Sequence, residues 1–391
     1  MQRQWSAPRV AIACGGTGGH LFPGVAVAEE LKQRGCAVTL LISPKEIDQT
    51  AVKSAAGMQV AVVPAVGLSR GSALAFARGF AQSYRAASKL FSAELPEAVL
   101  AMGGFTSAPP VLAGKARGAP AFLHESNTIP GRANRWLSWT VNQAFVGFPE
   151  AAARLHTRNI KITGTPVRPQ FQAADAATYR AALGLDPARP VLLVTGGSQG
   201  ASGLNDLVIA ALPCLAKLAP QLQLFHLAGP NDAAKIEQAC AAAKMKAVVH
   251  PFFSEMNLAL GAASVAISRA GASSLAELAA MRVPAILVPY PAATDNHQFH
   301  NASALEKSGA AILFAQRAAN PETVAAKVAE LIENTDARDG MSSAMAQWHA
   351  PRAAGQIAES IMQVITARRR ATGDAAMPAA PNLQNRQSAI T

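Results

Sequence analysis

Aromatic residues make up only 5% of this 391-residue chain. Acidic residues are also scarce, with 24 Asp and Glu against 35 Lys and Arg. The first scarcity, with alanine used heavily, argues against a β-sandwich and for helices packed on parallel sheets. The second leaves a net charge of +11 and points to anionic partners: phosphorylated metabolites or an anionic membrane face. Nucleic acid is set aside, because there is no RNA-binding signature and no interleaving of aromatic and basic residues. The four cysteines, Cys14, Cys36, Cys214 and Cys240, include no CxxC, which removes zinc-finger spacing and leaves reduced, structural thiols as the expectation. "MQRQWSAPRV" has no apolar signal-peptide core, and no apolar run is long enough to span a bilayer. Neither G-x-G-x-x-G nor G-x-x-x-x-G-K-[ST] occurs, so the dinucleotide fingerprint and the NTPase P-loop are absent. No D-x-D closes a strand, and no acidic cluster has metal-ligand spacing.

What the chain does have is a pattern that runs twice. "RVAIACGGTGG" and "RPVLLVTGGSQG" share one grammar of apolar strand, glycine turn and helix. Around them lie "AVTLLIS", "AVVPA" and "AVLAM" in the first half and "QLFHLAG", "AVVHPF", "SVAIS" and "AILVPY" in the second, with helical segments between. Continuous apolar strands alternating with helices read as parallel sheets. The repeat predicts an α/β chain of two Rossmann-like doubly wound domains joined near "TGTPVRPQF" (163–171). The first helix is expected over 24–34, with Pro23 in its opening turn.

Doubly wound sheets bind ligands at the carboxyl ends of their strands. Both glycine turns belong there, as do "MGGFTS" (102–107), "HESN" (124–127), "SRAGASSLAE" (268–277) and "DNHQ" (295–298). A glycine turn that opens a helix brings backbone N–H groups to bear on an anion; tight strand–helix packing is the alternative use of the same glycines. In "SRAGASSLAEL", Ser273 and Ser274 offer hydroxyls and N–H groups to a phosphate. Glu277, one turn on, is placed either to accept from ribose hydroxyls or to complement the helix dipole.

"GGTGGH", "MGGF", "HESN", "GTPVRP", "GGSQGA", "SRAGASSLAEL" and "DNHQ", in this order over residues 9–360, resemble the bacterial lipid II-forming N-acetylglucosaminyltransferases of glycosyltransferase family 28. The resemblance implies the glycosyltransferase B fold: an acceptor and membrane-associating domain at 1–165, a donor domain at 166–350, and a helix at 351–367 crossing back to the first domain. A basic disordered tail is expected over 368–391. The implied reaction is inverting transfer of N-acetylglucosamine from UDP-N-acetylglucosamine to the 4-hydroxyl of the muramoyl sugar of lipid I, with no resident metal or other cofactor. Other cell-wall synthesis proteins are implied as further partners. The implied location is peripheral, on the cytoplasmic face of the plasma membrane.

Carried over by motif, Thr17, Gly18 and Gly19 line the cleft and Asn127 binds the sugar. Arg168 and Ser198 meet the diphosphate. Phe253 marks the uracil position. Ala272, Ser273, Ser274, Leu275, Ala276 and Glu277 carry phosphate and ribose, and Gln298 contacts the sugar hydroxyls. Ser126 stands in "HESN" where the family pattern suggests glutamine. Inversion calls for a general base. His20 is the leading candidate, because an imidazole titrates near neutrality; Glu125 is its rival. His124 and His297 are expected in structural or positioning roles. A lipid acceptor also calls for a membrane face. Between Asp48 and Glu94 there is no acidic residue. In the segment 71–91, Phe76, Phe80, Tyr84 and Phe91 share one helical face, and Arg78, Arg85 and Lys89 the other. Tyr84 and Phe91 are read as core, while Leu68, Leu74 and Phe76 are candidates for insertion beside the basic face.

Overall fold

The computed structural model describes residues 7–16, 18–44, 57–64, 73–197 and 200–372. Its first sheet is built from β1 (Arg9–Ala13), β2 (Ala37–Ile42), β3 (Gln59–Val62), β4 (Ala98–Ala101), β5 (Ala121–Glu125), β6 (Gln143–Val146) and β7 (Ile160–Ile162). All pairings are parallel and the order is β3-β2-β1-β4-β5-β6-β7. The second sheet comprises β8 (Val191–Thr195), β9 (Gln223–Leu227), β10 (Ala247–His250), β11 (Val265–Ser268), β12 (Ala285–Leu287) and β13 (Ala311–Leu313). It is also parallel, in the order β10-β9-β8-β11-β12-β13. Each order reverses beside its first strand, between β1 and β4 and between β8 and β11. These are the two places where the glycine turns leave the sheet.

The central strands are buried because helices cover both faces of each sheet, whereas the edge strand β3 is largely exposed. In the N-terminal domain, α1 (Gly18–Gln33), α2 (Ala73–Ala93), α3 (Ala108–Ala116) and α4 (Arg132–Leu137) supply the cover. In the C-terminal domain the helices are α5 (Ala176–Ala182), α6 (Ser202–Leu218), α7 (Ala233–Ala242), α8 (Met256–Ala262), α9 (Ala272–Met281), α10 (His297–Lys307), α11 (Pro321–Glu333) and α12 (Thr335–Ala346). Two cores flank each sheet. One of them joins Leu21, Val25 and Leu31 of α1 to Ile357, Ile361 and Ile365 of the last helix, α13 (Ala353–Ala371).

Two sequence expectations change. Helix α1 begins at Gly18, not 24, so Pro23 lies inside it. The backbone nitrogen of Pro23 cannot donate to the carbonyl of Gly19, and that carbonyl instead accepts from Ser273 Oγ of the other domain at 2.8 Å. Helix α13 runs to Ala371 rather than 367, so Arg368–Arg370 form its last turn and not the start of a tail. Arg368 donates to the carbonyl of Gly118. Arg369 grips Glu97 with two hydrogen bonds, at 2.6 and 2.7 Å. Their charge suits the carboxyl end of a helix. The remainder of the expected tail, 373–391, lies outside the described residues.

Burial alone would raise the Glu97 carboxyl, but the paired bonds from Arg369, with the Arg9 N–H, hold it below its ordinary value. A carboxyl lowered by folding stabilises above its unfolded pKa and loses that effect as pH falls through its folded pKa. Arg369→Ala is expected to cost about 1–2 kcal/mol near pH 7, roughly 3–6 °C in melting temperature. The deficit should shrink on acidification below the carboxylate range, in a thermal-melt series across pH; a deficit constant with pH would contradict the assignment.

Candidate active site

The carboxyl ends of the two sheets meet at a cleft of about 1190 Å³ lined from both domains. On the N-terminal side the turn after β1 enters it. A Cβ on Gly15 would lie 2.4 Å from the backbone nitrogen of Ser43, so only glycine passes the end of β2 this closely. Gly18, Gly19 and His20 open α1 and line the cleft.

His20 is seated by the "MGGF" turn. Gly103, at φ 120°, lies under its ring, and a Cβ there would come within 2.6 Å of His20 Cε1. Phe105, from the same turn, lines the cleft and takes Phe76 of α2 edge-on at 5.5 Å. The neighbouring His124 is fully buried between the Gly164 carbonyl (3.1 Å) and Ser126 Oγ (3.2 Å). Burial pushes it down to about 4, with His20 adding to the shift while the Gly164 bond and Glu125 oppose it. It is therefore neutral at pH 7 and structural. Ser126 completes this buried pair.

Glu125 does not suit the role of base. Its Oε1 accepts from the backbone N–H and the side-chain amide of Asn127, and its Oε2 from Gly131 N and Asn134 Nδ2. With four donors converging, the carboxylate organises the loop 127–134. His20, by contrast, lines the cleft wall.

Four contacts join the domains around this site. Asn301 of α10, buried completely, accepts from Thr128 N (2.9 Å) and Thr128 Oγ1 (3.0 Å) and donates to Asn127 Oδ1 (3.0 Å) and the Ala270 carbonyl (3.1 Å). Ser273 bonds Gly19. Arg135 of α4 pairs with Asp295 at 2.9 Å. Arg168 stacks over Phe22 of α1 with its guanidinium carbon 4.2 Å from the ring centre.

On the C-terminal side, α9 starts at Ala272 with no side chain capping its N-terminus, and Gly271 to Ser274 line the cleft. Its unpaired N–H groups and dipole make an anion site. Glu277 follows on the same wall, 13% exposed, 3.8 Å from Arg168. Burial raises Glu277 to about 7 while Arg168 pulls the other way. Burial lowers Arg168, with Glu277 and then Glu29 opposing. Leu275 and Ala276 do not line the cleft. Leu275 is 2% exposed in the core with Leu278, and neither it nor Ala276 reaches the cleft.

Phe253 lines the cleft against Phe225, with ring centres 5.3 Å apart. Gln298 also lines it, its carbonyl fixed by Tyr290 N at 2.9 Å, which turns its amide to donation. His297 bonds the Thr294 carbonyl and stands beside it. Thr17 and Ser198 lie outside the described residues. Among residues the motifs did not single out, Arg269 is a buried cation on the cleft wall, held by the carbonyls of Val288 and Pro289. Its signal was its place in "SRAG". Asn301 gave no such signal, because its partners are far away in sequence. Among the described residues no group of His, Cys, Asp and Glu could hold a metal ion.

The N-terminal domain of glycosyltransferase family 28 matches residues 10–146 and its C-terminal domain residues 191–357. A UDP-N-acetylglucosamine–N-acetylmuramyl-(pentapeptide) pyrophosphoryl-undecaprenol N-acetylglucosamine transferase from Anaeromyxobacter sp. (strain K) is 36% identical, covering 92% of this chain and 94% of that protein. The crystal structure of MurG from Acinetobacter baumannii superimposes with a TM-score of 0.70 at 28% identity, over 91% of this chain and 99% of that one. A putative UDP-N-acetylglucosamine 2-epimerase from Listeria monocytogenes has a TM-score of 0.68 at 15% identity, over 96% of this chain and 100% of that one, a likeness of fold alone. With both of its domains matched in order, and a relative sharing more than a third of its residues across nearly its whole length, the chain belongs to glycosyltransferase family 28.

Proposed function

We propose that the chain transfers N-acetylglucosamine from UDP-N-acetylglucosamine to the 4-hydroxyl of the muramoyl sugar of undecaprenyl-pyrophosphoryl-MurNAc-pentapeptide, with inversion. The observation that carries the reading is one cleft with His20 seated on Gly103 at one wall and the uncapped start of α9, followed by Glu277, at the other. The N–H groups of α9 hold the diphosphate, and Glu277 accepts from the ribose hydroxyls. The uracil lies against Phe253, and Asn127 and Gln298 hold the sugar. His20 takes the proton of the attacking hydroxyl as its oxygen bonds the anomeric carbon and UDP departs. The negative charge that develops on UDP is met by helix N–H groups and by Arg168 and Arg269, which supports transfer without a resident metal.

An epimerase of the same fold needs no acceptor, so one assay separates the two. UDP should be released only when both UDP-N-acetylglucosamine and the lipid acceptor are present; epimerised donor in the acceptor's absence would overturn the proposal.

The state of Glu277 makes donor binding depend on pH. An ionised carboxylate accepts from both ribose hydroxyls, whereas the protonated acid has one fewer acceptor. Because the group titrates at about 7, UDP-N-acetylglucosamine affinity should rise with pH and be about ten-fold weaker near pH 6 than near pH 8. Glu277→Gln should bind weakly with a flat profile; calorimetry showing a flat profile for the unmodified chain would contradict the ribose role.

For the lipid acceptor we propose peripheral attachment to an anionic membrane through α2. No described helix is long and apolar enough to cross a membrane. Leu74 is exposed, as are Arg78, Arg85 and Lys89, whereas Phe91 is core and Tyr84 is half-buried against it. Phe76 is partly covered by Phe105 and Phe80, which leaves Leu74 as the apolar contact. Leu68 lies outside the described residues. Flotation with anionic vesicles should fall at high salt and on charge reversal at Arg78, Arg85 and Lys89; indifference to both would remove the electrostatic part.

A further inference from the structure

The C-terminal domain carries a second cavity, on the side away from the cleft. It opens at the amino ends of β8, β11 and β12, where Pro190, Ser264 and Pro284 precede the three strands, and encloses about 490 Å³. Arg180, Arg282 and Arg338 line it, with Asp339 the one carboxylate among the lining residues. That carboxylate is 70% exposed, and its oxygen lies 4.0 Å from Arg338 Nε, a long contact. Three guanidiniums therefore converge on one space with little to offset them.

Two of the three are pinned by the fold. Arg180 donates to the carbonyls of Ala262 and Pro187 and to Ser264 Oγ, at 3.0 to 3.1 Å. Arg338 donates to the carbonyls of Leu331 and Ile332, where α11 ends. Neither is free to swing away from the other's charge, and each guanidinium keeps N–H groups beyond those bonds. Burial lowers Arg180; Asp175 opposes the shift and Arg338 adds to it.

The third arginine breaks a local rule. Arg282 ends α9 in the left-handed conformation, φ 56° and ψ 33°. Glycine is the usual occupant there, because a Cβ is strained at positive φ. Among the described residues the Arg282 side chain makes no hydrogen bond and no ion pair. Its backbone carbonyl is tied to Ser342 Oγ at 2.8 Å, so the strained residue is held in place. Its charge also reaches His349, which burial first, and then Arg282, holds below its ordinary value. A strained backbone that carries an unpartnered guanidinium into the cavity is an observation that a binding role for Arg282 would account for.

We propose that Arg180, Arg282 and Arg338 form a binding site for a soluble phosphorylated small molecule, its phosphate oxygens taken by the guanidinium forks and by the hydroxyl group of Ser264. Planar forks match phosphate geometry, and the cavity falls within the roughly 300–1,000 Å³ of small-molecule sites. The site is separate from the donor cleft and independent of the transfer reaction proposed for it. Helix α9 connects the two, with its N-terminus in the cleft and Arg282 at its far end.

Inorganic pyrophosphate is the probe, applied to the full chain with the cleft filled by saturating UDP and ionic strength held constant with sodium chloride. Saturation should raise the melting temperature by about 3 °C. Arg282→Gly reverses two signs at once. Without pyrophosphate it should melt about 1–3 °C higher than the unmodified chain, because the left-handed strain is relieved. With pyrophosphate its rise should vanish, and calorimetric affinity for the probe should fall at least ten-fold. No rise in the unmodified chain, or a rise kept intact in Arg282→Gly, would overturn the site. Binding to phosphatidylglycerol vesicles that depends on Arg282, without pyrophosphate binding, would overturn the soluble ligand in favour of a lipid headgroup.

Discussion

Asn301 puts one buried amide between the two halves of the cleft, and the geometry of the site depends on it. Its carbonyl takes two hydrogen bonds from Thr128 and its amide gives one to Asn127 and one to Ala270. The side chain belongs to the C-terminal domain; Thr128 and Asn127 belong to the loop that Glu125 organises from the other domain. A buried network with every member satisfied is rigid, and breaking one partner exposes the desolvation cost of the rest. The loop thus inherits its position from the opposite domain, and the wall that bears His20 is set against the wall that bears α9.

The electrostatics of the cleft follow the same logic of burial. Arg168 and Arg269 are nearly inaccessible, so their charges act in a low-dielectric wall, where the departing diphosphate of the proposed reaction would feel them strongly. Arg168 is supported by the Phe22 face and by Glu277 rather than by a close ion pair. Burial raises Glu277 to about 7, and so loose an Arg168 contact does not offset it, which leaves the carboxyl able to respond to what binds beside it.

Much of this was legible in the sequence, for physical reasons. Parallel strands buried on both faces must be apolar throughout, so Val10–Ala13 and Val191–Val194 announce themselves, and a glycine turn after each marks where the sheet order reverses. The start of α1 is not legible because proline normally opens a helix; here the bond that Pro23 forgoes frees the Gly19 carbonyl for Ser273, a partner in the other domain. Leu275 and Ala276 were carried over from a contiguous motif, but a helix turns about 100° per residue, which takes both away from the cleft. Glu125 has the residue type of a base, but its four donors are visible only in the fold. Arg368–Arg370 looked like a tail until their partners, Gly118 and Glu97, came from more than two hundred residues away. Partners at such separations leave no local trace, and Asn301 went unremarked for that reason.

The central claim is that the active cleft is preassembled across the domain joint rather than within either domain. Asn301→Ala tests it most directly, with the steady-state kinetics of sugar transfer read beside the affinity for UDP. Loss of the bridge should lower kcat/KM for transfer by about 10–100-fold, the equivalent of roughly 1.4–2.7 kcal/mol. UDP affinity should change less than three-fold, because α9 and Glu277 stay in place. Transfer kinetics equal to those of the unmodified chain would contradict the account.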